Sequence, residues 1–165
     1  MLVGIISDSH DAIEPTKRAV EILQQHGVKM LFHCGDIIDD PIIEICAKIP
    51  LQFVFGNHDS DMTRILENAA TKYSATCLGW SGIVHLAGKT IGLVHGHLSS
   101  DLLPLLDQRP DYIFSGHFHE KRDWHVGQTR RIIPGALFRA ETLSVATLDL
   151  ATDTLTFIDV PESAG

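Results

Sequence analysis

Apolar segments of strand length recur along this chain, and each runs into a cluster of aspartate, histidine or asparagine beside a glycine. Residues 2–7 lead into Asp8-Ser9-His10-Asp11, residues 30–33 into Gly35-Asp36, and residues 51–55 into Gly56-Asn57-His58-Asp59. Farther on, residues 90–94 end in His95-Gly96-His97 and residues 112–115 in Gly116-His117-Phe118-His119. Open α/β sheets place ligand groups at the carboxyl ends of their strands. The repeated device therefore points to an α/β fold whose loops meet at one place.

Between the early strands the pattern turns helical. Pro15 opens a stretch stopped by Gly27, with Ala19, Val20, Ile22 and Leu23 on one side, residues 41–49 follow the second strand, and Asp61 is placed to cap a helix through Asn68. After residue 75 strands dominate: residues 82–86 and 90–94 form a hairpin across Ala87-Gly88-Lys89, and a short helix spans 100–108. The remaining strands are read at 123–126, 129–133, 144–150 and 155–160. With 165 residues, 44% of them apolar and 21% charged, the chain is expected to form one globular domain over 1–165. It is too short for a (β/α)₈ barrel, which excludes a barrel amidohydrolase as the home of paired histidines.

The formal charge of −8, from 13 Lys and Arg against 21 Asp and Glu, opposes counterion release and disfavours a polymeric nucleic-acid partner. Lys121, Arg122, Arg130, Arg131 and Arg139 make one basic stretch, read as a solvated hairpin surface with an anion-facing rim as the alternative. Three cysteines without C-x-x-C spacing suggest neither a disulfide framework nor a thiolate zinc site. No apolar run approaches the roughly 20 residues of a membrane helix, and Asp8 interrupts the opening too early for a signal peptide, so a cytoplasmic protein is expected.

A single histidine in such a cluster reads most simply as a hydrogen-bonded imidazole. Recurrence changes that reading, because several buried charged clusters would be costly without a common partner, and a shared metal centre supplies one. In extended backbone, residues i and i+2 point the same way, so Asp8/His10, His95/His97 and His117/His119 could each present two ligands to one point. A set of imidazole, carboxylate and amide donors without sulfur suits Mn, Fe, Zn or Co. Other motifs fail: Gly88-Lys89-Thr90 has Ile83 where a phosphate loop needs glycine, and His119-Glu120 has Asp123 where a zinc-protease helix needs histidine.

Taken in order, Asp8-x-His10, Gly35-Asp36, Gly56-Asn57-His58-Asp59, His95-Gly96-His97 and Gly116-His117-x-His119 closely resemble the calcineurin-like metallophosphoesterases. The likeness is greatest to their small bacterial and archaeal phosphodiesterase branch and extends to Pro134-Gly135. It implies two facing mixed β-sheets flanked by helices, an αββα sandwich. It implies that Asp8, His10 and His119 hold one divalent ion, that Asn57, His95 and His117 hold another, and that Asp36 bridges them. Manganese is the first expectation, with Fe, Zn, Co or Ni as alternatives. Two such ions bring about +4 against about −2 from Asp8 and Asp36, a surplus suited to a phosphodiester anion and a hydroxide.

The resemblance further implies hydrolysis of small phosphodiesters, extending to phosphomonoesters, by a metal-bridging hydroxide. His58 takes the place of general acid, and Asp39 stands where larger relatives carry a carboxylate that orients it. A helix cap ahead of Pro41 is the other reading of Asp39. Relatives often form homo-oligomers. The rival reading is a non-catalytic, protein-binding scaffold on the same fold, resembling the retromer phosphoesterase-fold subunit. Three positions depart from the family pattern: Phe118 replaces a small hydroxyl residue, Ile133 precedes Pro134 in place of Asn, and Cys34 precedes Gly35. His97 is read first as a support for the ligands, with a phosphate contact or simple space filling as the alternatives, Asp11 as a turn residue ahead of a hydrogen-bond acceptor near the metals, and His26, His33, His85 and His125 as structural or surface groups.

Overall fold

Strand β1 (Leu2–Ile6) is buried on both faces, and its alternation divides two cores: Val3 and Ile5 enter one, Ile6 the other. The computed structural model describes residues 1–162, which continue through α1 (Ile13–Gln25), β2 (Met30–His33), α2 (Asp40–Cys46) and β3 (Leu51–Phe53). A 3₁₀ turn at Asn57–Asp59 precedes α3 (Thr63–Lys72), β4 (Thr76–Cys77), β5 (Ser81–Leu86) and β6 (Lys89–Val94). Then come α4 (Ser99–Asp107), β7 (Tyr112–Phe114), β8 (Lys121–Val126), β9 (Thr129–Pro134), β10 (Ser144–Asp149) and β11 (Thr154–Asp159).

These strands make two mixed sheets, a six-stranded one in the order β11-β10-β1-β2-β3-β4 and a five-stranded one in the order β5-β6-β7-β9-β8. The expected αββα sandwich is present. Helices α1, α2 and α3 bury Leu23, Ile43 and Leu66 with Ile6, Leu31 and Phe53 on the outer face of the first sheet. Between the sheets, Val3, Ile5 and Phe32 meet Leu93, Phe114 and Ile132, with the Phe32 and Phe114 rings edge to face at 5.5 Å. Leu105 of α4 packs on Val94 and Ile113 on the far side.

Local differences from the sequence reading have local causes. Helix α3 starts at Thr63 without a side-chain cap, because the 3₁₀ turn comes first and Met62 N–H bonds back to Asp59 O at 2.8 Å. Strand β4 was not anticipated, since two residues carry no readable period. Helix α1 ends as expected, with Gly27 just beyond it at φ 79°, a conformation that costs glycine little. No helix among the described residues is long and apolar enough to cross a membrane.

What positions the site is the parallel core of each sheet. Strands β1, β2 and β3 run parallel in the first, and β6, β7 and β9 in the second, so their carboxyl ends deliver the polar loops.

Candidate metal centre

The loops are joined to one another through their backbones. Asp8 N–H donates to Gly35 O at 3.0 Å and His10 N–H to Asp36 O at 3.0 Å, while Gly116 N–H donates to His95 O at 3.0 Å. Leu137 N–H, beyond β9, donates to Ser7 O and Asp8 O at 3.3 and 3.2 Å and ties the second sheet to the first. The expectation of paired ligands on extended backbone is corrected here. Asp8, His10, His117 and His119 have φ of 53°, 42°, 74° and 55°, left-handed turns that interlock with neighbouring loops. Such conformations cost non-glycine residues about 1–3 kcal/mol each and gather where the surroundings over-determine them. Gly56 is required for proximity rather than for its φ, since a Cβ there would collide with the Asp36 carboxylate and backbone nitrogen.

Two buried carboxylates form the middle of the site. Asp8 Oδ2 accepts the Ser7 hydroxyl at 2.6 Å and the His117 backbone N–H at 3.0 Å, which leaves Oδ1 toward the imidazoles. Asp8 Oδ1 lies 3.1 Å from His119 Nε2, 3.7 Å from His10 Nε2 and 3.8 Å from His95 Nε2. Asp36 Oδ2 lies 2.9 Å from His58 Nδ1, 3.2 Å from His10 Nε2 and 3.3 Å from His95 Nε2. The donor atoms of Asp8, His10 and His119, those of Asp8, Asp36 and His95, and those of His10, Asp36 and His58 each converge within 4.8 Å. His117 stands edge-on to His95, with ring centres 5.2 Å apart.

Backbone carbonyls set the tautomers of two histidines. A carbonyl only accepts, so Nδ1 of His95 carries its hydrogen to Cys34 O at 2.8 Å, and Nδ1 of His119 to Arg139 O at 3.3 Å. Nε2 of each is thereby turned to the carboxylates with its lone pair available, the arrangement that orients a metal-binding imidazole.

Charge is shared strongly across the cluster. Burial disfavours the Asp8 carboxylate, but the neighbouring imidazoles of His10, His119 and His95 outweigh it and hold Asp8 well below the usual range. Asp36 is depressed likewise, its burial outweighed by the imidazoles of His10 and His95 beside it. Burial opposes a charge on His10, yet Asp36 and then Asp8 raise its pKa to about 9.

Asp8 Oδ1, His10 Nε2, Asn57 Oδ1 and His95 Nε2 are buried without a hydrogen-bond partner among the described residues. Buried polar atoms ordinarily find one. A carboxylate oxygen, an amide oxygen and two imidazole nitrogens left in this way fit divalent cations, and the set contains no sulfur.

Asp39 lies apart from this arrangement. Its carboxylate accepts Asp40 N–H at 2.8 Å and caps α2, and the carboxylate that meets the His58 ring is Asp36. The cap satisfies an N–H at the helix start that has no partner within the helix.

One support was not read from sequence. The Asp59 carboxylate accepts N–H groups of Ile37 at 2.9 Å, Ile38 at 2.8 Å and Gly56 at 2.8 Å, and so fastens the Asp36 loop to the Asn57 turn. Burial raises its pKa despite those bonds. Its position three residues after Gly56 is the spacing of a capping box, the signal that could have marked it. His33, expected to be structural, is fully buried: Gly35 N–H donates to its Nδ1 at 3.2 Å, so Nε2 carries the hydrogen and donates to Ser9 Oγ at 2.9 Å. His97 lies beside the centre, its ring 5.4 Å from His95 and its buried Nδ1 without a hydrogen-bond partner among the described residues.

The order of loops and the converging donor set belong together with one family comparison: the profile of the calcineurin-like phosphoesterase superfamily domain matches residues 1–153. The chain belongs to that superfamily. Phosphodiesterase MJ0936 of Methanocaldococcus jannaschii is 25% identical over 138 residues, which cover 82% of this chain and 83% of that protein. The solved structure of an archaeal phosphodiesterase superposes with a TM-score of 0.86 at 23% identity, covering 97% of this chain and 100% of the other. Wild-type Vps29 from Entamoeba histolytica, solved with Zn²⁺, gives a TM-score of 0.68 at 18% identity over 96% of this chain and 99% of its own. The two structural likenesses show a common phosphoesterase fold.

Proposed function

We propose that this phosphoesterase-family chain, as one domain over residues 1–165, hydrolyses small phosphodiesters, extending to phosphomonoesters, with two divalent cations, manganese first among them. The observation that carries the reading is the position of Asp36 Oδ2, 3.2 Å from His10 Nε2 and 3.3 Å from His95 Nε2. A carboxylate between the two groups of imidazoles is what a bridging ligand requires. Asp8, His10 and His119 would hold one ion, Asn57, His95 and His117 the other, and Asp36 both. Bound divalent ions lower the pKa of water and neutralise phosphate charge.

The chain's own side chains account for the rest. His95 and His119 are held in the required tautomer by backbone carbonyls, and Ser7 with the His117 N–H fixes the Asp8 carboxylate. His58 is more than half exposed and its Nδ1 carries a hydrogen to Asp36; with the ring doubly protonated, Nε2–H would supply the proton to the departing alkoxide and leave the neutral imidazole. The similarity to a named phosphodiesterase supports the diester as substrate.

Hydrolysis of a chromogenic phosphodiester should be abolished by chelation and restored by Mn²⁺. Asp36→Ala should lose both ions by elemental analysis. Full metal occupancy without turnover on a panel of diesters and monoesters would favour the scaffold reading instead.

A further inference from the structure

Phe118, the departure from the family pattern between two proposed ligands, is 54% exposed. Its N–H donates to Gly116 O at 3.0 Å, and the left-handed turns at His117 and His119 direct their imidazoles inward while the phenyl ring between them stays in solvent. The ring continues a run of aromatic groups. Phe118 stands 5.2 Å from His117, His117 6.2 Å from His97, His97 6.2 Å from Trp80, and Trp80 5.4 Å from the buried Phe55. Trp80 is 38% exposed, and its turn is fastened to the end of β3 by Phe55 N–H donating to Gly79 O at 2.8 Å.

Scattered exposed apolar side chains are ordinary on a protein surface. Here the distribution is selective: Met1, Ile65, Leu98, Leu103 and Val126 are aliphatic, and Trp80 and Phe118 are the exposed large aromatics among the described residues. Both belong to the run beside the metal centre. An aromatic face in water is suited to stacking with a planar group, and such stacking is worth about 1–3 kcal/mol per base where it has been tested by substitution.

The side of the centre also matters. His58 packs against His10, with ring centres 4.9 Å apart, whereas the aromatic run passes through His117, itself against His95. The departing group belongs beside the proton donor, so the retained group of a diester falls to the side of the run.

We propose that Trp80 and Phe118 form a subsite for the retained arm of the phosphodiester, and that this arm is planar and aromatic, as a nucleobase or an aryl group is. The inference rests on the phosphoesterase reading and adds the class of substrate to it. His97, whose ring lies 6.2 Å from Trp80 and 6.2 Å from His117, joins the two exposed rings into one aromatic wall.

Two diesters with the same leaving group separate the arms: bis(4-nitrophenyl) phosphate retains an aryl group, methyl 4-nitrophenyl phosphate a methyl. In the Trp80→Leu/Phe118→Thr double variant, the ratio of kcat/KM for the aryl over the methyl substrate should fall about tenfold, chiefly through KM. Trp80→Phe and Phe118→Tyr, which keep a ring, should preserve the ratio. Binding supplies a readout independent of turnover: the Mn²⁺-loaded protein should prefer phenylphosphonate over methylphosphonate by about tenfold in calorimetry, and the double variant should lose that preference. Unchanged ratios, or a double variant that loses its metal, would overturn the subsite. No turnover of either diester by the metal-loaded wild type would instead overturn the phosphoesterase reading, and the phosphonate preference would still decide whether the rings bind a planar arm.

Discussion

Asp36 holds His58 by both ends: Oδ1 accepts the His58 backbone N–H at 2.9 Å, and Oδ2 lies 2.9 Å from ring Nδ1. One carboxylate thus connects the proposed proton donor to the proposed metal bridge. His58→Ala should retain metal and slow hydrolysis of a diester with an alkoxide leaving group by about 10²–10⁴-fold. A nitrophenolate needs less protonation, so its defect should be smaller. Equal defects on both substrates would sink the proton-donor role, and loss of metal would place His58 among the ligands, consistent with its convergence on His10 and Asp36 within 4.8 Å.

Gly56→Ala should disable the centre without removing any ligand. The added Cβ would collide with the carboxylate and backbone nitrogen of Asp36, so the bridge itself must move. Metal affinity is expected to fall about 10–100-fold, as when the support of a ligand is lost. Elemental analysis after dialysis checks this, and wild-type metal content would show that the loop can yield at no cost to the site.

The clusters were legible because each follows an apolar strand directly, and the mixed donor set was legible from residue types alone. Their local conformation was not. Asp8, His10, Asp36, His117 and His119 all adopt positive φ without being glycine, a choice imposed by hydrogen bonds from loops distant in sequence. The partner of His58 was hidden for a related reason. Asp36, Asp39 and Asp40 lie within one short turn, and a left-handed Ile38 at φ 84° helps determine which of them faces the centre and which caps α2. Strand β1 could be read because it is apolar throughout, whereas β4 exists only through pairing with β3.

Asp59→Asn tests the fastening between the second and third loops. The carboxylate accepts backbone N–H groups of Ile37, Ile38 and Gly56, and an amide would turn a donor toward at least one of them. The cost should be about 1–3 kcal/mol, the penalty of an unsatisfied buried group. Because both proposed ligands Asp36 and Asn57 hang from this junction, metal affinity should fall with stability. Denaturant unfolding and metal titration measure the two, and a destabilised variant with unchanged metal affinity would confine Asp59 to folding.

His33 should leave a signature in the acid limb of stability. It is fully buried, and burial lowers its pKa to about 3 from an unfolded value of about 6.5. The folded protein therefore keeps His33 neutral where the unfolded chain takes up a proton. The corresponding stability is present in full above about pH 6.5 and is lost as pH falls toward about 3, with a slope of up to about 1.4 kcal/mol per pH unit. Burial outweighed by the nearby carboxylates of Asp36 and Asp8 gives His10 the opposite sign, since its pKa near 9 makes a contribution that is lost as pH rises from about 6.5 through about 9. The two windows are separate. Urea unfolding of chelated protein between about pH 6 and 4, with metal removed throughout so that its release on acidification does not enter, samples the His33 window, and comparison with a variant separates it from the depressed carboxylates of Asp8 and Asp36, whose contribution begins to be lost at the lower end. His33→Gln can still reach Ser9 and carries no titratable group, so its stability should depend less steeply on pH in this range. Identical slopes for wild type and variant would mean that the buried imidazole takes up its proton in the folded state as readily as in the unfolded one.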